Sequence, residues 1–257
     1  MCGRIFCFMK IHQLYITVVS LWLLAACQPT NDNPVHTIES ATKTTKELPP
    51  NRYNVAFLII NGVFNTELTA PYDIFHHTIF RDSIKPMNVF TVSNQSEAIT
   101  TFEGLQLLPD YNFLTDSLPH IDILVVPSAE NNLGSDLQDT ALLNFVKQIS
   151  QHALYVTSHC DGAFVLAKSG VLDSVASTTF PGDIAAYKNM FPHLTVYDSV
   201  LFVHQGKFIT SAGGAKSFEA ALYLCELMYG KKVADQIAQG MVIDWDLSKV
   251  AYRKVEK

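Results

Sequence analysis

From residue 53 onward, apolar runs alternate with segments in which apolar residues recur at helical spacing. The runs at 53–60 and 121–126 are almost continuous, as in strands buried on both faces of a sheet. This alternation predicts one α/β domain with a mostly parallel sheet and helices on both faces. The other predicted strands are 87–92, 99–102, 105–108, 154–157, 195–203 and 207–210, and the predicted helices are 67–79, 137–151, 163–168, 218–228 and 233–238.

The first 27 residues have the pattern of an export signal. Lys10 precedes a short apolar stretch at 14–26, which ends in Leu, Ala and Ala before Cys27. This ending resembles the bacterial lipobox, so we expect residues 1–27 to be a lipoprotein signal peptide and Cys27 to carry lipid. A plain signal peptide cut elsewhere, or an uncleaved anchor, is the alternative. Gln28 follows the cysteine, which by the bacterial sorting rule favours the periplasmic face of the outer membrane.

Composition divides the rest of the chain into two parts. Residues 28–51 are polar and include Pro49 and Pro50, so they predict a flexible tether that cannot bury enough apolar area to fold. Residues 52–257 form the predicted domain. The net charge of the whole chain is −6, without a basic run, which argues against nucleic acid as a partner.

Cys160 lies where the β-prone run 154–157 changes into a helical pattern. A nucleophile at a strand-to-helix corner needs small residues two positions before and after it, because the turn is too tight for larger side chains. Ser158 and Gly162 occupy those positions. A helix N-terminus also favours a thiolate, so we expect a lowered pKa and a nucleophilic Cys160. A buried cysteine at a strand end is the alternative.

The chain has five cysteines, of which two, Cys160 and Cys225, lie in the predicted domain. Cys225 falls in an apolar stretch of helical period, which indicates an inert core thiol, although the sequence leaves a disulfide to Cys160 open. No Cys or His spacing resembles a zinc site. We therefore expect neither a metal nor a cofactor.

Three segments in combination resemble the ThiJ/PfpI superfamily, which has the flavodoxin-like sheet of class I glutamine amidotransferases. They are 62–75, the strand-to-helix corner around Cys160, which we call the elbow, and 209–214 with its two terminal glycines. Within the superfamily, the sequence is most similar to the isonitrile hydratase-like group and to sensor-like domains of AraC-type regulators. The resemblance covers 54–245. It implies a flavodoxin-like three-layer sandwich, a small-molecule substrate or ligand, and a homodimer.

The resemblance also implies roles for residues near the elbow. Glu67 matches an acidic position that lies within hydrogen-bond reach of the nucleophilic thiol. A protonated Glu67 would stabilise a thiolate and act as general acid or base, whereas the alternative is a carboxylate that only complements the helix dipole. Asp161 is a further candidate catalytic residue, with helix capping as its alternative. Backbone amides of Asp161, Ser128 and Ala129 are candidates for holding developing negative charge.

Two departures from the superfamily leave two function classes open. Pro127, Ser128 and Ala129 stand where relatives usually have a Gly-Gly turn, and Phe180 stands where many have His. The first class is a Cys-dependent enzyme on small electrophilic molecules, of hydratase, lyase or deglycase type. The second is a lipoprotein of the same fold that binds a ligand or senses redox state through its thiol.

Overall fold

The centre of residues 46–256, the part of the chain that this computed structural model describes, is an eight-stranded sheet. In β1 (Tyr53–Leu58), Val55 and Phe57 face one hydrophobic core and Ala56 faces the other. A strand buried on both faces needs an almost continuous apolar sequence, and this run supplies it. The other strands are β2 Met87–Ser93, β3 Ile99–Thr100, β4 Gln106–Leu107, β5 Tyr111–Asn112, β6 Ile123–Val126, β7 Tyr155–His159, β8 Phe202–Gln205, β9 Phe208–Ser211 and β10 Tyr252–Val255.

Six α-helices of the described residues cover the two faces of the sheet. Three of them, Asn65–His76, Ser217–Tyr229 and Lys231–Gly240, pack into the core that contains Val55, and the other three pack into the opposite core. This arrangement confirms the predicted three-layer α/β sandwich. The helices are α1 Asn65–His76, α2 Thr140–His152, α3 Gly162–Lys168, α4 Ile184–Met190, α5 Ser217–Tyr229 and α6 Lys231–Gly240.

The strand order is β10-β8-β9-β7-β6-β1-β2-β5, while β3 and β4 form a separate antiparallel hairpin. Within the large sheet, β8 runs antiparallel to β9, and all other neighbouring pairs are parallel. The neighbours β1, β6 and β7 therefore end at the same edge. Ligands bind at this edge of open α/β sheets, so the segments after these three strands define where to look for a site.

The structure corrects one local prediction and adds three elements that the pattern missed. The predicted strand 195–203 is wrong except at its end, because Ser199 adopts φ +58° and the strand begins only at Phe202. The missed elements are α4, which has only seven residues, β5, which has two, and β10, whose residues are mostly exposed. A short helix and an exposed edge strand carry little apolar periodicity, so the hydrophobic pattern does not reveal them.

The last residues of the predicted tether lie against the domain. Lys46 Nζ donates a hydrogen bond to the Val89 carbonyl at 2.9 Å, and Leu48 packs against the core on the Ala56 side. Asn88 also donates to the Pro49 carbonyl. The last residues of the predicted flexible tether, 46–50, are therefore in contact with the domain while staying partly or fully exposed, and its earlier part lies outside the described residues. The predicted leader lies outside the described residues.

Candidate active site

Cys160 occupies a sharp corner between β7 and α3. Its φ is +51°, in the left-handed region that L-residues rarely adopt, and its amide donates to the Ser211 carbonyl at 2.9 Å. A Cβ atom at Gly162 would lie 2.1 Å from the Val126 carbonyl oxygen, so only glycine fits there. Ser158 is fully buried. These constraints explain the small residues on either side of Cys160 and show the predicted elbow geometry.

Glu67 lies in the first turn of α1 and is only 5% exposed. Its Oε2 accepts a hydrogen bond from the Ser128 amide at 3.2 Å, and its Oε1 accepts one from the Gly214 amide at 3.1 Å. These bonds connect the segments that follow β1, β6 and β9. Glu67 is therefore held at the edge where β7 presents Cys160, and its proton exchange with the thiol stays a prediction.

The segment after β6 offers a different group from the one that the sequence indicates. The Ser128 amide donates to Glu67, and the Ala129 amide donates to Asn132 Oδ1 at 2.8 Å. Both predicted amides therefore have acceptors within the protein. The Ser128 hydroxyl, in contrast, is buried near the Cys160 thiol, whose pKa it lowers as a hydrogen-bond donor, and it has no other hydrogen-bond partner among the described residues. A Gly-Gly turn at this place would have no hydroxyl group. Ser128, which stands where the superfamily usually has glycine, was therefore the only feature of the sequence that indicated this hydroxyl.

The electrostatic surroundings of Cys160 are opposite to the sequence-based expectation. Burial raises the pKa of the thiol, and the carboxylates of Glu67 and Asp161 raise it further. The Ser128 hydroxyl and the Asp161 backbone N–H oppose this increase but do not reverse it. The expectation of a lowered pKa is wrong because burial, followed by two acidic side chains, outweighs the effect of the helix N-terminus. Cys160 therefore forms a thiolate more readily when a neighbouring carboxyl group is protonated, because each carboxylate raises the pKa of the thiol.

The Asp161 side chain does not cap α3. It lies at the N-cap position but makes no hydrogen bond to the first turn of the helix. Its Oδ1 instead accepts from Thr179 Oγ1 at 2.9 Å, and the same hydroxyl lies 3.1 Å from the Cys160 carbonyl oxygen. Burial is the main reason why the pKa of Asp161 rises to about 7. Capping, the alternative role for Asp161, is thus wrong.

The buried histidines near the elbow serve the fold. His159 Nδ1 lies 3.0 Å from Ser211 Oγ, and complete burial lowers the pKa of His159 to about 3. His204 contacts the Tyr223 hydroxyl at 2.8 Å, and burial lowers its pKa as well. Both rings are therefore neutral near pH 7. Cys225 is fully buried in α5, and both it and Cys160 are free thiols, so the disulfide alternative is wrong.

A cavity of about 640 Å³ adjoins the elbow. Thr179, Gly213 and Gly214 form the part of its wall that contacts Cys160 or Glu67. Its area is mostly apolar, and Phe180, which is 43% exposed, lies in the wall where relatives have His. The remaining wall residues are Thr178, Pro181, Gly182, Ile184, Ala185, Asp198, Ser199, Val200, Leu201, Ala212 and Lys216.

Residues 46–256 contain neither a candidate metal site nor a membrane-spanning helix. No group of three or more His, Cys, Asp or Glu side chains in this range has an arrangement that would hold a metal ion. No helix in the same range is both long and apolar enough to cross a membrane.

A mostly parallel α/β sandwich with a cysteine elbow and a buried glutamate defines a protein of the glutamine amidotransferase-like fold. The chain belongs to the DJ-1/PfpI family, whose sequence model matches residues 53–227. This confirms the resemblance to the ThiJ/PfpI superfamily. The chain is 30% identical over 186 residues to isonitrile hydratase of Pseudomonas putida, covering 71% of this chain and 75% of the relative.

Two further relatives support the same family and fold. The transcriptional regulator GbdR of Pseudomonas aeruginosa is 22% identical over 154 residues, covering 60% of this chain and 41% of the regulator. The crystal structure of Drosophila melanogaster DJ-1beta superposes with a TM-score of 0.61 at 21% identity, covering 76% of this chain and 100% of that one. The relatives of this chain thus include both an enzyme and a transcriptional regulator.

Proposed function

We propose that this chain is a cysteine-dependent enzyme that acts on small electrophilic molecules, as a hydratase, lyase or deglycase-type hydrolase. The observation that carries the proposal is that two adjacent residues of the cavity wall contact the two candidate catalytic residues, which themselves lie behind that wall. Gly213 packs against Cys160, and Gly214 donates to Glu67. The candidate nucleophile and the candidate proton donor are therefore one residue layer from a largely apolar space of substrate size.

In the proposed reaction, the Cys160 sulfur bonds to the electrophilic carbon of the substrate, and Glu67 gives its proton to the substrate. For an isonitrile, the proton goes to the same carbon, so this step forms a C–S bond and a C–H bond and reduces the carbon–nitrogen triple bond to a C=N bond. Water then adds across the C=N bond, the C–S bond breaks, one water proton stays on nitrogen and the other returns to Glu67. The product is a formamide. The Ser128 hydroxyl and the Asp161 N–H stabilise charge on the reacting atoms.

The alternative is a ligand-binding or thiol-sensing lipoprotein of the same fold. The raised pKa of Cys160 favours the ligand-binding form of this alternative, because nucleophilic attack and thiol oxidation both need a thiolate. Phe180 in place of the His of relatives favours it too, since no imidazole then takes the thiol proton from that position. Reversible oxidation of Cys160 would be the signal.

The test compares purified wild-type protein with Cys160→Ser and Cys225→Ser on an isonitrile and a 2-oxoaldehyde. Turnover is expected in the wild type and in Cys225→Ser, and loss is expected in Cys160→Ser. Cys225 is the matched control because it is buried in α5, remote from the elbow in sequence and position in the fold. If the wild type shows no turnover and peroxide oxidises Cys160 reversibly, the enzyme proposal is wrong and the thiol-sensing alternative is favoured.

Location and assembly form a separate part of the proposal. We propose that lipid on Cys27 holds the domain at the bacterial cell envelope, on the periplasmic face of the outer membrane. The lipobox-like ending of 14–26 supports it. A homodimer, implied by the family resemblance, likewise remains a prediction.

A further inference from the structure

Thr179 contacts the elbow from a segment outside it. Its side chain is buried in the chain before α4, and its hydroxyl oxygen lies 3.1 Å from the Cys160 carbonyl oxygen and 2.9 Å from Asp161 Oδ1. A carbonyl and an ionised carboxylate only accept, so one hydroxyl proton serves both groups. The Cys160 carbonyl also accepts from the Ala163 amide, at 3.3 Å. Thr179 therefore makes the shorter of the two contacts that hold this carbonyl.

The Cys160 carbonyl and the Asp161 N–H belong to one peptide unit. The described part of the chain has no cis peptide bond, and in a planar trans peptide the C=O and N–H groups point in opposite directions. Holding the carbonyl toward Thr179 therefore turns the Asp161 N–H away from Thr179. Among residues 46–256 this N–H has no oxygen acceptor, and it instead lowers the pKa of the Cys160 thiol. The elbow thus keeps this donor free for the sulfur side.

The segment that carries Thr179 is fixed by elements other than the elbow. The Thr178 N–H donates to Thr210 Oγ1 of β9 at 2.8 Å, and Ser177 Oγ lies 3.2 Å from the hydroxyl of Tyr187 on α4. The branched Cβ of threonine also restricts χ1, so the buried hydroxyl keeps one direction. The Thr179 hydroxyl is therefore a fixed point to which the elbow peptide is attached.

We propose that Thr179 is a positioning residue that aims the Asp161 N–H at the sulfur and at the charge that forms on the reacting atoms. It acts through the Cys160 carbonyl. Without its hydroxyl, the longer Ala163 contact alone would hold the peptide that follows the strained Cys160, whose φ is +51°. The inference rests on the proposed function for the reacting atoms, whereas the effect on the Cys160 thiol is independent of turnover.

The test compares Thr179→Val, which keeps the branched shape but removes the hydroxyl, with Thr179→Ser, which keeps the hydroxyl. The first measurement is the rate of Cys160 alkylation by iodoacetamide in the full chain, read from the Cys160 peptide by mass spectrometry. It is made at pH 9, where Asp161, with a pKa of about 7, is ionised. Thr179→Val is expected to slow alkylation by about three- to tenfold, because the thiolate loses an aimed donor, and Thr179→Ser to stay within about twofold of wild type.

A loosened elbow would change the rate in the opposite direction, because greater access to the thiol speeds alkylation. Thr157→Val is the matched control. Thr157 is buried on β7, three residues before Cys160, and its hydroxyl has no hydrogen-bond partner among the described residues. Since this change removes no hydrogen bond, the alkylation rate is expected to stay within about twofold of wild type.

Turnover of an isonitrile is the second measurement. Thr179→Val is expected to lower kcat by about tenfold with KM nearly unchanged, because the donor acts on charge that develops after binding, and Thr179→Ser should restore kcat. Thermal unfolding of each variant verifies that the rates report folded protein.

The outcomes separate this inference from the proposed function. Unchanged or faster alkylation of Thr179→Val, or a serine variant as slow as the valine variant, would overturn the inference and leave the proposed enzyme intact. Slower alkylation of Thr179→Val in a protein whose wild type has no turnover would retain the inference and overturn the enzyme. A wild-type Cys160 that does not react at pH 9 would overturn both.

Discussion

Gly213 packs so closely against Cys160 that a Cβ atom on Gly213 would lie 2.4 Å from Cys160 Cβ. The same atom would lie 2.6 Å from the Cys160 nitrogen and 2.8 Å from its Cα. Gly213 also has φ +78°, which favours glycine. The turn after β9 therefore holds the nucleophile in its strained conformation, and a side chain at Gly213 would push the two backbones apart.

Gly213→Ala is expected to lower the free energy of unfolding by about 2–4 kcal/mol, from overpacking and left-handed strain together. Urea denaturation measures this loss. The matched control is Gly214→Ala, which has φ +57° but open space around the new Cβ, so about 1 kcal/mol is expected. Similar losses at both glycines would mean that backbone strain alone matters and that contact with Cys160 does not.

The sequence predicted the elbow because the corner itself restricts which residues fit. The Val126 carbonyl approaches so closely that no side chain fits at Gly162. The glycine at this position therefore indicates the corner from the local sequence alone. The buried strands were predictable for a similar reason, since burial on both faces demands apolar residues at every position. Glu67 was found only through the family resemblance, because its partners come from segments distant in the chain.

The missed parts of the site depend on tertiary contacts. Thr179 reaches Asp161 and the Cys160 carbonyl only because the segment before α4 folds back onto the elbow, and no local pattern indicates this approach. The Ser128 hydroxyl affects the pKa of Cys160 only because the fold buries it beside the sulfur, and the local sequence does not indicate this burial. The pKa of Cys160 was predicted in the wrong direction because burial and two carboxylates outweigh the helix N-terminus.

His159 makes the fold sensitive to acid. Its pKa falls from 6.5 to about 3 on burial, so its contribution to stability is present above pH 6.5 and is lost as pH falls toward 3. At about 1.4 kcal/mol for each pH unit, the loss reaches about 5 kcal/mol. Urea denaturation at pH 7 and pH 4 should therefore show that wild type loses more stability than His159→Gln, which keeps a polar partner for Ser211. If wild type and His159→Gln lose equal stability between pH 7 and pH 4, a group other than His159 causes the acid sensitivity.

Cys160 is expected to react with thiol reagents faster than Cys225, by about tenfold or more, because reaction requires access. Burial raises the pKa of both thiols, but Cys160 is 8% exposed beside the cavity and Cys225 is 0% exposed. Peptide mass spectrometry after brief alkylation of folded protein compares the two sites. Equal rates in folded protein would remove the basis for a catalytic or sensing role, and equal rates in urea serve as the control.

Cys27 is expected to carry lipid in a bacterial host. Labelled palmitate should enter the wild-type protein, and Cys27→Ser should abolish the label and shift the protein from membrane to soluble fractions. Cys7→Ser is the control within the leader, since Cys7 precedes the apolar stretch. Absence of label from wild type would show that the leader is a plain signal peptide or an uncleaved anchor.

Glu67→Gln tests whether Glu67 transfers a proton. The change is expected to reduce turnover of an electrophile by about 100-fold, the usual contribution of a general acid or base. Cys160 alkylation at pH 7 should become faster, because a charge that raises the thiol pKa has gone. The Gln amide also faces a backbone N–H of Ser128 or Gly214, at a cost of about 1–3 kcal/mol, which urea denaturation measures. Opposite movements of turnover and alkylation would identify proton transfer, whereas a parallel loss of both would reduce Glu67 to a structural support.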